Sequence, residues 1–211
     1  MTHPSPVDLL VLHGVRVLGF ADAGAIARRF HLDPAAVDEG LLDAEARGWT
    51  THAAFGDTAG WSLTERGRAE NERQLAAELA ATGRVEVVRA GHTAFLPLNA
   101  VVLRACTDWQ LRPTADDRFA PNDHADTAWD DAVLRALGEV EQALPALNAR
   151  LADVLARFSG YDVRFTAALA RARAGDHAAV DRTDTDSCHR VWFELHEDLI
   201  ATLGIDRHAS A

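Results

Sequence analysis

The chain is predicted to be mostly α-helical with one small β-hairpin. An N-terminal domain over residues 1–83 precedes an all-helical domain over residues 84–211. Three observations predict this. Alanine is abundant while Gly (14) and Pro (7) are sparse in 211 residues, which favours helices over sheets. Apolar residues recur at three- and four-residue spacing through most of the chain. The exception is one pair of strand-like runs around residues 49–63, separated by a turn-forming segment.

Taken in order, Val7, Leu10, Val11, Val15 and Leu18 line one face of a first helix. Phe20, Ala21 and Asp22 break it, and residues 23–30 form a short second helix with Ile26 and Phe30 inward. Asp33 then caps a third helix whose first position is Pro34, where a missing N–H costs nothing; Gly48 stops it. Within it Val37, Leu41, Ala44 and Gly48 share a stripe predicted to be buried, leaving Ala35, Glu39, Leu42, Asp43 and Ala46 outward. The hairpin has strands at 49–55 and 61–63 around a turn at residues 56–60, and Thr64 caps a fourth helix that ends near Gly83.

The second domain reads as helices at 85–95, 97–109, 127–140, 147–158, 163–174 and 186–203. Pro97 and Pro145 are expected to start, kink or divide them, and a polar loop fills 112–126. Thr127 caps one helix, and Thr185 or Asp186 the last.

The stretch GWSLTERGR, residues 60–68, resembles the second wing strand and following helix of MarR-like winged-helix regulators: Leu63 and Thr64 close a strand and Gly67 falls in the first helical turn. The order of elements from residue 7 to 80 agrees with that family. The segments CTDWQLRP, NDHAD and HRVWFELHEDLIATLGIDR are similar to those of a stand-alone actinobacterial group described as MarR-like regulators. The resemblance implies an N-terminal winged helix-turn-helix, a C-terminal helical domain for ligand binding or dimerisation, a homodimer, and a DNA-binding transcriptional regulator that answers to a small molecule.

Charge sets a limit on that expectation. The formal net charge is −11, and all 21 basic residues are arginine. Residues 1–83 hold 7 Arg against 12 Asp and Glu, and the remainder 14 against 20, so each part is acidic and lacks long-range attraction for nucleic acid. The outward face of the third helix has none of the donors that read base edges. Phosphate-contact candidates are Arg28, Arg29, Thr50, Thr51, Arg66 and Arg68. DNA binding is therefore expected to be weak or lost, with a protein-interaction adaptor as one alternative.

Another alternative is a small-molecule-binding protein or enzyme. Asp108, Trp109, Gln110 and Arg112, then Asn122, His124 and Asp126, then His189, Trp192 and His196 mix apolar walls with oriented polar groups, as a ligand pocket requires. His124 between two carboxylates has the makings of a general base, but no nucleophile elbow, phosphate-cradling loop or paired-cysteine motif accompanies it. The reading leans away from an enzyme, and no cofactor or metal is expected. Cys106 and Cys188 lack ligand spacing and read as buried thiols. The opening MTHPSPVDLL has no basic region before an apolar core, and no apolar run approaches the ~20 residues of a membrane span; a cytoplasmic protein without membrane contact is expected.

Overall fold

A computed structural model describes residues 2–56 and 58–205. It is mostly helical with a small two-stranded antiparallel hairpin. The elements are α1 (Val7–Leu18), α2 (Ala23–Phe30), α3 (Pro34–Ala46), β1 (Thr50–Phe55), β2 (Thr58–Leu63), α4 (Glu65–Thr82), α5 (Val85–Gln110), α6 (Thr127–Ala152), α7 (Tyr161–Arg173), α8 (Ala178–Asp181) and α9 (Cys188–Leu203). A single 3-10 turn, Ala156–Phe158, precedes α7. Among the described residues no helix is long and apolar enough to cross a membrane.

Two compact units divide the chain. The first comprises Met1–Arg89 with Ala152–Arg157 and the stretch from His196 onward; the second comprises Ala90–Leu151 with Phe158–Leu195. The first unit thus takes in two segments that lie far along the sequence from residues 1–83.

In the first unit α1, α2 and α3 enclose Val11, Val15, Ile26, Val37 and Leu41. The side chains of Asp22, Asp33 and Thr64 each accept the backbone N–H three residues on, capping α2, α3 and α4. The hairpin is tighter than its sequence suggests. Phe55 pairs with Thr58, so Thr58, Ala59 and Gly60 belong to β2 and the connection is two residues; Asp57, placed in the expected turn, lies outside the described residues. Gly56, at φ +58°, supplies the left-handed backbone such a turn needs. Gly67 has a different reason to be glycine: a Cβ there would stand 1.8 Å from the Trp49 carbonyl oxygen. The first turn of α4 lies directly on the entry to β1, which is the physical content of the Gly in GWSLTERGR.

In the second unit the two prolines do not divide their helices. Pro97 lies inside α5 and Pro145 inside α6, each a 26-residue helix. Both prolines lie on the exposed side of their helices. The opposite faces bury Phe95, Val102 and Trp109 on α5, and Val133, Leu137, Val140, Leu144 and Leu151 on α6. Burial on that scale outweighs a proline penalty of ~3 kcal/mol. The break expected at 175–184 contains the one-turn helix α8.

Candidate functional site

Two sites were expected from the sequence, one in each unit. In the first unit, the rotational phase of α3 is the deciding property. Val37 and Leu41 are fully buried and Ala44 is 4% exposed, while Ala35, Glu39, Leu42, Asp43 and Ala46 are exposed. Leu42 is 60% exposed. Gly48, expected on the buried stripe, is instead an exposed residue at φ +72° just past the helix, where it serves as the stop. The solvent face of α3 is acid and methyl, and the nearest cation, Arg47, is spent on Asp43 at 3.4 Å and on the Trp49 ring at 5.0 Å.

The six phosphate-contact candidates divide. Arg28, Thr51, Arg66 and Arg68 are exposed. Arg29 is half-buried and donates to the Arg157 carbonyl at 3.3 Å. Arg68 lies 3.5 Å from Glu197. Thr50 is 3% exposed and its hydroxyl donates to the Leu41 carbonyl at 3.5 Å, so it braces α3 on β1 and is unavailable to a ligand.

The first unit also holds an ionic cluster that sequence reasoning missed. His13 Nε2 lies 3.0 Å from Asp198 Oδ1, with both side chains fully buried, and its Nδ1 lies 3.3 Å from Asn71 Oδ1. Arg157 donates to Asp198, to Glu78 at 3.1 Å and to the Thr202 hydroxyl at 2.8 Å. Arg16 donates to Glu197 at 2.8 Å and to Glu72 at 2.9 Å. Burial works to raise the Asp198 carboxyl; Arg157 and His13 beside it prevail and hold it well below the usual carboxylate range. The enclosed part of this cluster, His13, Asp198, Arg157 and Glu78, locks segments together and lies away from solvent.

The second expected site, in the second unit, comes together around His124. Its ring packs 4.6 Å from Trp109 and 4.3 Å from His177, centroid to centroid. Its Nδ1 lies 2.9 Å from Asp130 Oδ2. Both Asn122 amide hydrogens are taken, by Asp130 Oδ1 at 2.8 Å and the Trp109 carbonyl at 3.1 Å. The carboxylate therefore accepts from both neighbours, which fixes Nδ1 of His124 as the protonated nitrogen and leaves Nε2 with the lone pair when the ring is neutral. The Asn122 side chain also accepts the His124 N–H at 3.2 Å, holding His124 at φ +59°. A non-glycine residue pinned in the left-handed region beside a buried carboxylate is a concentration of local strain.

Around this core the remaining candidates are structural ties. Arg112 pairs with Asp126 at 2.5 Å, and this contact holds the Asp126 carboxyl below its ordinary range. Gln110 donates to Asp181 at 2.8 Å. Asp108 pairs with Arg104 at 2.6 Å and, through its carbonyl, accepts the Trp129 indole N–H at 2.6 Å. Asp108 and Trp129 also line a groove of about 390 Å³ between α5 and α6.

The third group of candidates does not join this core. Trp192 is 2% exposed, stacks 4.5 Å from Phe95 and donates to Asn99 at 3.0 Å, which makes it part of the second unit's core. His189 is half-buried in the first turn of α9, and His196 belongs to the first unit. Sequence reasoning overlooked Asp130 and His177. The signal for Asp130 was its place in the first turn of α6, six residues beyond His124. His177 sat in a segment read only as a break. Cys106 and Cys188 are free and buried, and burial pushes both thiols up to about 12, which leaves them unreactive at neutral pH.

Among the described residues no group of three or more His, Cys, Asp or Glu side chains is placed to hold a metal ion. No protein-family model, curated protein or solved structure matches the chain.

Proposed function

We propose that the chain is a ligand-responsive regulator whose first unit is a winged helix of the MarR-like kind, acting as a homodimer, with DNA binding weak or lost. The order α1–α2–α3–β1–β2–α4 supports the scaffold, with α3 packed on α1 and α2 and followed at once by the hairpin. The observation that carries the functional half is the solvent face of α3, where Glu39 and Asp43 flank the exposed Leu42. A helix that reads a major groove presents donors to base edges and cations to phosphates; carboxylates there repel the duplex. The same face suits a protein surface that offers basic and apolar groups, so α3 works by contacting protein.

Fluorescence anisotropy with a random-sequence duplex at low salt tests this reading. No binding is expected at micromolar protein. Micromolar affinity with a steep salt dependence would restore an operator-binding regulator. A second reading, a small-molecule-binding protein or enzyme, is favoured by the His124–Asp130 pair, in which a buried carboxylate orients an imidazole as general bases require.

A further inference from the structure

We propose that the groove between α5 and α6 binds a small organic cation, an amine or quaternary ammonium carried on an apolar body. The inference gives a ligand class to the ligand-responsive reading above and rests on that reading for its regulatory meaning, while the binding itself is independent of it.

The groove, about 390 Å³, falls within the size range of small-molecule sites. Ala100, Val101, Arg104 and Ala105 from α5 and Ala132, Val133 and Ala136 from α6 line it. Apart from Arg104 these are short side chains, which leave room for an apolar body. Trp129 also lines it, and the surroundings of this indole differ from those of the other four. Trp49 carries the Arg47 guanidinium at 5.0 Å, and Trp61 packs on His52 at 4.8 Å. Trp109 packs on His124 at 4.6 Å, and Trp192 stacks on Phe95 at 4.5 Å. Trp129 is half-buried and pinned by its N–H on the Asp108 carbonyl; among the described residues no ring or guanidinium stacks on it, although Arg104 lines the same groove. An indole face held rigid and unpaired beside an alanine-lined groove is the strongest aromatic partner for a cation that a side chain provides.

Charge completes the argument. Asp108 lines the groove and is only 24% exposed at its side chain, whereas its ion-pair partner Arg104 is 75% exposed. In this pair the arginine precedes the carboxylate by one turn, the weaker order on a helix, and exposed pairs of this kind contribute little. A ligand cation seated on Trp129 therefore takes over Asp108 while the guanidinium turns out into water. An anion has only the exposed Arg104 to meet, against the Asp108 carboxylate and the negative face of the indole. The net charge of −11 further enriches cations at the surface.

Isothermal titration of the full chain with benzyltrimethylammonium and, separately, phenylacetate at low ionic strength tests the assignment. The cation should bind at least tenfold more tightly than the anion. Trp129→Leu and Asp108→Asn should each weaken the cation roughly tenfold, whereas Arg104→Gln should leave its affinity unchanged or raise it. Asp108→Asn keeps the side-chain volume and Arg104→Gln is exposed, so these two variants read binding even where the tryptophan change perturbs folding. A preference for phenylacetate that Arg104→Gln abolishes, or no binding of either probe by the unaltered chain, would overturn the proposal. No duplex enters the assay, so a failure of the regulator reading leaves this result standing.

Discussion

The two units each place a histidine against an aspartate, and the contrast between them separates a lock from a site. His13 and Asp198 have fully buried side chains, and Arg157 spends its guanidinium on Asp198, Glu78 and Thr202. His124 and Asp130 keep 23% and 12% of their side chains exposed. His124 sits on a strained backbone, its Nε2 is left as an acceptor, and the ligand-sized groove begins one residue away at Asp108 and Trp129. Enclosed charge paired with enclosed counter-charge specifies a structure. A partly exposed imidazole held by a buried carboxylate, with an atom in reserve, is available for chemistry.

The largest effect expected from this contrast is on stability. Asp198→Ala leaves His13 without its carboxylate and Arg157 with Glu78 alone in the core and should cost about 3–5 kcal/mol in denaturant unfolding, whereas a joint Asp198→Leu, Arg157→Met, Glu78→Leu replacement should recover part of that loss. A single variant as stable as the parent would show that the cluster is no lock.

Next in size is the response to acid. The Asp198 carboxyl is held below its unfolded value of ~3.9, so the stability it contributes is fully present above that pH and is lost as pH falls through the folded value. Unfolding free energy should therefore decline steadily below about pH 4 and be flat with respect to this group above it, as followed by circular dichroism across pH 2 to 7.

The smallest effect sharpens the other side of the comparison. Because His124 sits at φ +59°, His124→Gly should be more stable than His124→Ala by about 1 kcal/mol, although both lose the bond to Asp130. Equal stabilities would mean that the backbone there carries no strain.

Much of the architecture was legible in the sequence because it rests on local rules. The caps at Asp33 and Thr64 and the buried seam Val37–Leu41–Ala44 depend on residues within a few turns of one another. The helix divisions expected at Pro97 and Pro145 failed because the proline rule is also local, whereas the compensating burial comes from other segments. For the same reason the grouping of Asn122 with His124 could be anticipated at a separation of two residues, but His177 could not. The His13 cluster was invisible: its members lie 58, 144 and 185 residues from His13, and a lone histidine on an apolar helix gives no hint of them.

That long separation bears on how the molecule is made. A ribosome that has made His13 must add another 185 residues before the aspartate that answers it is made. The first unit is thus completed only after the second unit's residues have been made, and a gene fragment ending after α4 encodes a half-built core with its imidazole and Glu78 facing no counter-charge. Such a fragment would suit capture by chaperones better than transplantation as a free-standing module.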